Sequence, residues 1–331
     1  MATEARVISV LREYREALAA GELSVLQDLA RRWVWIERDL DSDIAALQLL
    51  MAEKAANGEV ITQQMIWKEG RYQILKGKLQ EAISTYNRDY LVGALSKAQT
   101  EYGFMGVKAA RDAVAASLGI VTDRVSFPVL NRDAIETMAG YLSNGAPLNS
   151  LLKNDFPEAL EGLTNALLRG IARGSTAKQV ANEMLTGMGM GLNRAMLITR
   201  TEIGRAYRSG NVLQYRESGV VTGFRRLVKK ESACMACLLL DGEVFKLESE
   251  LDDHPQGNCS AVPVVAGAGA PDWEKGADWF AMLGEDQQKE KLGAQLFEKW
   301  QKEGFDLSSL VSKSHSEEWG STPRFNAGGA Q

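Results

Sequence analysis

The chain has 331 residues, 45% hydrophobic and 24% charged, with a net charge of -5, three cysteines and two histidines. That length buries a core without disulfides, and an odd cysteine count sets aside a secreted disulfide framework in favour of free thiols in a reducing compartment. The acidic balance argues against wholesale coating of nucleic acid, no apolar run is long enough to span a bilayer, and the charged N-terminus lacks the apolar core of a signal peptide.

No proline precedes Pro128, so long uninterrupted helices are expected over the first part of the chain. Leu26, Leu29, Trp33, Ile36, Leu40, Ile44, Leu47 and Leu50 step by three or four and form one apolar stripe. Asn57-Gly58 marks a turn, after which Tyr72, Leu75, Leu79, Ile83, Tyr86 and Tyr90 form a second stripe. The expectation is a long antiparallel helical hairpin within residues 1–127. A helical connecting region follows over 128–190, with helix starts at Asp155-Phe-Pro and after Ser175, and with GMGMG at 187–191 as a flexible joint.

From Leu192 to about Ser218 the pattern is helical, closed by Gly219. It then changes to short β-like pieces: VVTGFRRLV, EVFKL and SAVPVV, with an Asp241-Gly242 hairpin signal between them. Residues 191–265 therefore read as a small α+β domain. Residues 266–331 read as a linker, helices carrying Trp279, Phe280, Leu283, Leu292, Leu296, Phe297 and Trp300, and a loose tail, GSTPRFNAGGAQ. The fold class is thus mainly α, with a small α+β appendage and a helical C-terminal segment.

All three cysteines and one of the two histidines fall between Cys234 and Cys259, spaced C-x2-C, sixteen residues, His254, four residues, Cys259. A C-x2-C turn sets two thiolates on one side of a zinc ion, and a histidine and cysteine on a later loop complete a tetrahedron. The metal ligands are expected to be Cys234, Cys237, His254 and Cys259, and the zinc to be structural, because four protein donors leave no open position for water. A small acidic β segment with few large apolar residues is expected to depend on the ion. His315 lies in a solvated stretch, so no nucleophile system has its base and no catalytic residue is assigned.

Charge is unevenly spread around this window. From Arg194 to Lys230 nine basic residues face only Glu202 and Glu217, while from Glu231 to Asp253 seven acids face only Lys246. The two segments either pair internally or present a polar face to a partner. The candidate interaction residues are Arg200, Glu202, Arg205, Arg208, Arg225, Arg226, Lys229 and Lys230, with Arg200 and Glu202 expected to fix the helix onto the metal-binding segment.

Three stretches, TRTEIGRAYRSGN, FRRLVKKESACMACLLLDGEVF and HPQGNCSAVP, preceded by GIARGSTAKQVANEM, resemble the phage minor head proteins of the Mu F-like head morphogenesis type. The likeness covers about residues 160 to 265 and extends more loosely to Trp319. The chain departs from the family's His-Pro-Asn-Cys-Arg-Cys pattern by inserting Gln256-Gly257 and by carrying Ser260, which leaves open whether His254 or another residue is the fourth ligand. The resemblance implies a low-copy, non-enzymatic component of the phage head interior. It would be assembled in the host cytoplasm with portal, major capsid and scaffolding proteins, with packaged DNA a secondary contact. The competing reading is a metal-dependent enzyme or toxin module, such as a zinc nuclease or transferase, delivered with the virion.

Overall fold

The computed structural model describes residues 2–121, 177–268, 274–316 and 319–327. The expected helix starts at Asp155 and Ser175 lie outside them. The fold is mainly helical with small sheet regions. It divides into two compact units, one of Met1–Gly21, Ala98–Pro147 and Thr201–Gln331, the other of Glu22–Lys97 and Leu148–Arg200.

In the second unit, the two apolar stripes meet. Helix α1 (Ala2–Ala56) buries Leu26, Leu29, Trp33, Leu40, Ile44 and Leu47. The returning chain buries Tyr72, Leu75, Leu79, Ile83 and Tyr86, each such side chain contributing roughly 1.5–3 kcal/mol. The pairings run in opposite sequence order, from Lys54 with Glu69, through Asp43 with Lys78, to Leu29 O accepting from Tyr86 Oη. That is an antiparallel arrangement. The rings of Trp33 and Tyr86 meet edge to face at 4.9 Å.

The returning leg is not one helix. After Gly58, at φ +85°, come α2 (Gln63–Lys68), capped by Thr62, and α3 (Gly70–Thr85). A π-helical turn (Tyr86–Leu91) follows and leads into α4 (Val92–Leu118). The wider turn rotates the stripe, so that Leu91 and Leu95 are buried while Tyr90 is 40% exposed under the Arg32 guanidinium. Arg200 also belongs to this unit and lies 3.8 Å from Glu22.

Helix α5 (Ala177–Glu217) runs unbroken through GMGMG, which corrects the expected joint. Glycine costs a helix about 1 kcal/mol per residue but does not forbid it, and the interleaved methionines are good helix formers. The helix ends where the Ser218 hydroxyl donates to Tyr215 O and Gly219 takes φ +68°. In the first unit, α4 and α5 cross closely through glycines. A Cβ on Gly210 would lie 2.2 Å from Gly103 O, and one on Gly106 would lie 2.0 Å from Tyr207 O.

Strand β1 (Val221–Leu227) is the middle of a three-stranded sheet, antiparallel to both β2 (Val244–Phe245) and β3 (Ser260–Val265). Asp241-Gly242 forms no two-residue hairpin between the metal-binding halves. A short helix, α6 (Met235–Leu239), precedes it, and Gly242, at φ +80°, donates to Arg226 O and so closes the loop back onto β1. The middle strand is what joins the two halves.

Helices α7 (Gly276–Ala281), α8 (Glu285–Leu292) and α9 (Ala294–Glu303) pack on this sheet. Phe280, Leu296 and Phe297 share one core with Phe224, Leu238 and Leu251. The β segment therefore draws its apolar partners from further along the chain and is not left with few large apolar residues. Residues 320–325, expected in a loose tail, form β5 (Gly320–Phe325), paired antiparallel with β4 (Val311–Ser316). Pro323 lacks a donor but sits in a two-stranded ribbon, where one edge needs none. No helix among the described residues is long and apolar enough to cross a membrane.

Candidate metal centre

Cys234 is the N-cap of α6, and its Sγ accepts from Cys237 N at 3.5 Å. This is why C-x2-C converges. The cap sulfur faces the first-turn amides, and three residues on, Cys237 comes round to the same side. Helix-terminal amides also favour a thiolate there. Cys234 is exposed, whereas Cys237 and Cys259 are buried.

The later loop is built around Asp253. Its carboxylate accepts from His254 N at 3.0 Å and from Cys259 N at 2.9 Å, and lies 3.7 Å from Cys237 Sγ. One side chain thus ties both ends of His254–Cys259 together. Between them Gln256 takes φ +62°, and Gly257 packs so closely that a Cβ would lie 2.1 Å from the Asp253 carboxylate. The inserted Gln256-Gly257 is accommodated by a positive-φ turn and by a residue without a side chain.

Helix α5 holds this loop from the side. Thr201 Oγ1 accepts from Gln256 N at 3.2 Å, and Arg208 Nη1 donates to Gly257 O at 3.1 Å and lies 3.4 Å from Asp253 Oδ2. Residues 201 and 208, two turns apart, share a helix face. Thr201 and Arg208, not Arg200 and Glu202, are the docking residues. Glu202 is fully buried and accepts from Arg205 at 2.7 Å and Gln99 at 3.2 Å, while Arg205 also donates to Trp319 O.

Part of the basic segment is held internally, by acids and by backbone carbonyls. Arg208 meets Asp253, Lys230 meets Glu274 and lies 3.9 Å from Asp241, Arg216 donates to Leu247 O, and Arg226 donates to Asp252 O. Arg225 is half-buried and also engaged, and Lys229 is exposed.

The donors gather in two overlapping groups, Cys234, Cys237 and His254, and Cys237, Asp253 and Cys259, with the atoms of each group within 4.8 Å of one another. Sulfurs bound to one tetrahedral zinc sit about 3.8 Å apart, given Zn–S bonds near 2.3 Å. Each group sits at a spacing that a metal ion can bridge, and the two share Cys237, so the three thiols and the imidazole form a cluster that could hold a metal. Asp253 is the alternative oxygen donor, but Arg208 and two backbone amides already take up its oxygens. His254 Nδ1 lies 2.9 Å from Pro255 O, an arrangement that assigns the proton to Nδ1 and leaves Nε2 for the sulfur side.

The titration pattern describes the same set. A hydrogen bond with Cys237 pulls the Cys234 thiol down to about 4, against burial, with His254 helping. Hydrogen bonds to Cys234 and Cys259 raise Cys237, and the one to Cys259 lowers that thiol. Contact with the Cys234 sulfur raises His254 to about 9. Burial works against the charge of Asp253, yet Arg208 and the Cys259 amide hold it below the usual carboxylate range.

His315, expected at the surface, is exposed on β4, with Nδ1 3.3 Å from Ser321 Oγ. Sequence reasoning missed Asp253. Its only signal is an acid placed directly before His254-Pro255, where the amides of the returning loop need an acceptor.

Fold and site together define a mainly helical protein whose small sheet carries a three-cysteine, one-histidine cluster able to hold a metal. Residues 161–261 match the family described as phage Mu protein F like protein, so this part of the chain is similar to that phage head-related family. Neither curated proteins nor solved structures give a match.

Proposed function

We propose that this chain is a structural minor head protein, acting in head morphogenesis through contacts with portal, major capsid and scaffolding proteins in the head interior. Its Mu F-like domain would be held by one structural zinc on Cys234, Cys237, His254 and Cys259. The observation that carries the reading is that the matched segment, 161–261, encloses all four donors and the α5 face that docks on their loop. A family of phage head proteins supports the location in the virion and the absence of enzymatic activity.

The competing enzyme needs an open metal position or a free base. Four protein donors on one ion would leave no open position for water, and Asp253, beside them, is already paired with Arg208 and two backbone amides. Internal pairing of Arg208, Arg216, Arg226 and Lys230 also draws cationic surface away from packaged DNA. DNA is accordingly a lesser expected contact than protein.

The test is deletion of the coding sequence from the phage that carries it. The expected result is assembled shells with a loss of infectious particles, together with co-purification of the full chain with the portal. Unchanged infectivity would overturn the reading.

A further inference from the structure

Arg226 is the penultimate residue of β1, the middle strand of the sheet, and is 2% exposed. Its Nη1 is 3.1 Å from Cys259 Sγ and 3.6 Å from Cys237 Sγ, and its Nη2 donates to Asp252 O at 2.5 Å. Among the described residues no carboxylate stands at ion-pair distance from it. A guanidinium taken out of water costs several kcal/mol unless negative charge answers it. The atoms it meets directly are two sulfurs and a carbonyl, so the answering charge in contact with it is thiolate, with the Asp253 carboxylate acting from further off.

We propose that Arg226 is a working part of the metal centre without being a ligand. It donates N–H···S hydrogen bonds to the two buried thiolates, fixes their direction and offsets the negative charge that three thiolates leave on a divalent ion. This inference rests on the zinc reading above. The strand supplies the means: β1 pairs with β3, placing Arg226 opposite Ala261, two residues past Cys259, while the chain leaving β1 leads into α6 and Cys237. Arginine suits the place better than lysine, because its planar fork reaches both sulfurs and the carbonyl at once.

The test uses the full chain with Arg226→Met and Arg226→Lys, purified under reducing conditions. Zinc retention is read by competition with a chromophoric chelator, and cobalt(II) is substituted for zinc to read the sulfur-to-metal charge-transfer band. Arg226→Met is expected to lose zinc at a roughly 10- to 100-fold lower chelator concentration, the usual effect of removing a partner of a metal ligand. Its charge-transfer band should move to longer wavelength, because the sulfur lone pairs lose their stabilising donors. Arg226→Lys should fall between. Should the methionine variant fail to fold, the lysine variant carries the test through the same two readouts.

Retention and band unchanged from wild type in a folded variant would overturn the role of Arg226 while leaving the zinc reading intact. A wild-type chain that takes up neither zinc nor cobalt would overturn both.

Discussion

Arg208 on the long helix and Asp253 on the metal-site loop lie 3.4 Å apart, their side chains 7% and 0% exposed. The pair makes a helix of the Mu F-like segment and the loop carrying His254 and Cys259 into one structure. Removing one partner of a buried ion pair leaves the other charge without an answer, at a cost of about 3–5 kcal/mol. Arg208→Ala should therefore lower unfolding free energy by that order and loosen zinc. Arg208→Ala combined with Asp253→Ala should cost less than the two single changes together. A double-mutant cycle by chemical denaturation measures this, and simple additivity would show that the pair is not coupled.

Gly257→Ala should fail for a steric reason. The new Cβ would lie 2.1 Å from a carboxylate held by two amides and an arginine. Such overpacking costs about 1–3 kcal/mol, and here it falls on the loop between His254 and Cys259. Thermal unfolding with and without zinc should show a lower Tm and a smaller gain from the metal than in wild type. An unchanged gain would mean that the loop tolerates a side chain at 257.

Gly210→Ala tests the helix crossing rather than the metal. Its Cβ would lie 2.2 Å from Gly103 O, a backbone atom that cannot rotate away. A loss of about 1–3 kcal/mol is expected, with zinc stoichiometry unchanged. The two glycine variants thus separate packing defects from site defects.

Protonation gives a pH signature. In chain stripped of zinc by a chelator, contact with the Cys234 sulfur raises His254 from 6.5 to about 9. A raised folded-state pKa contributes stability that is fully present below about 6.5 and is lost as pH rises through about 9. The stability difference between wild type and His254→Gln, both stripped, should shrink as the pH is raised across that window. With zinc bound the sign reverses: the ion displaces protons from His254 and Cys237, so zinc affinity should fall on acidification. A zinc affinity independent of pH would exclude both ligands.

The parts of the fold legible from sequence were those set by local pattern. The Leu26 to Leu50 stripe and the Tyr72 to Tyr86 stripe needed only helical period, and Gly219 needed only its freedom at positive φ. The cysteine spacing pointed to the cluster that could hold a metal, because C-x2-C places two sulfurs together through local helix geometry alone. What was not legible depended on distant partners. Nothing near GMGMG shows that the long helix continues through it. Nothing in GSTPRF shows that it pairs with Val311–Ser316. The π-helical turn at Tyr86–Leu91 breaks the period without a proline or a glycine. Asp253, Thr201 and Arg226 acquire their roles only when β1 and α5 close around the loop, and a one-dimensional reading of charge saw just a basic segment beside an acidic one.

Metal content tests the zinc centre most directly. Full-length chain purified under reducing conditions, without added metal or chelator, should contain one zinc per chain by elemental analysis. Cys237→Ser, which removes the sulfur common to both donor groups, should contain none. Wild-type protein that is folded, reduced and free of zinc would contradict the account.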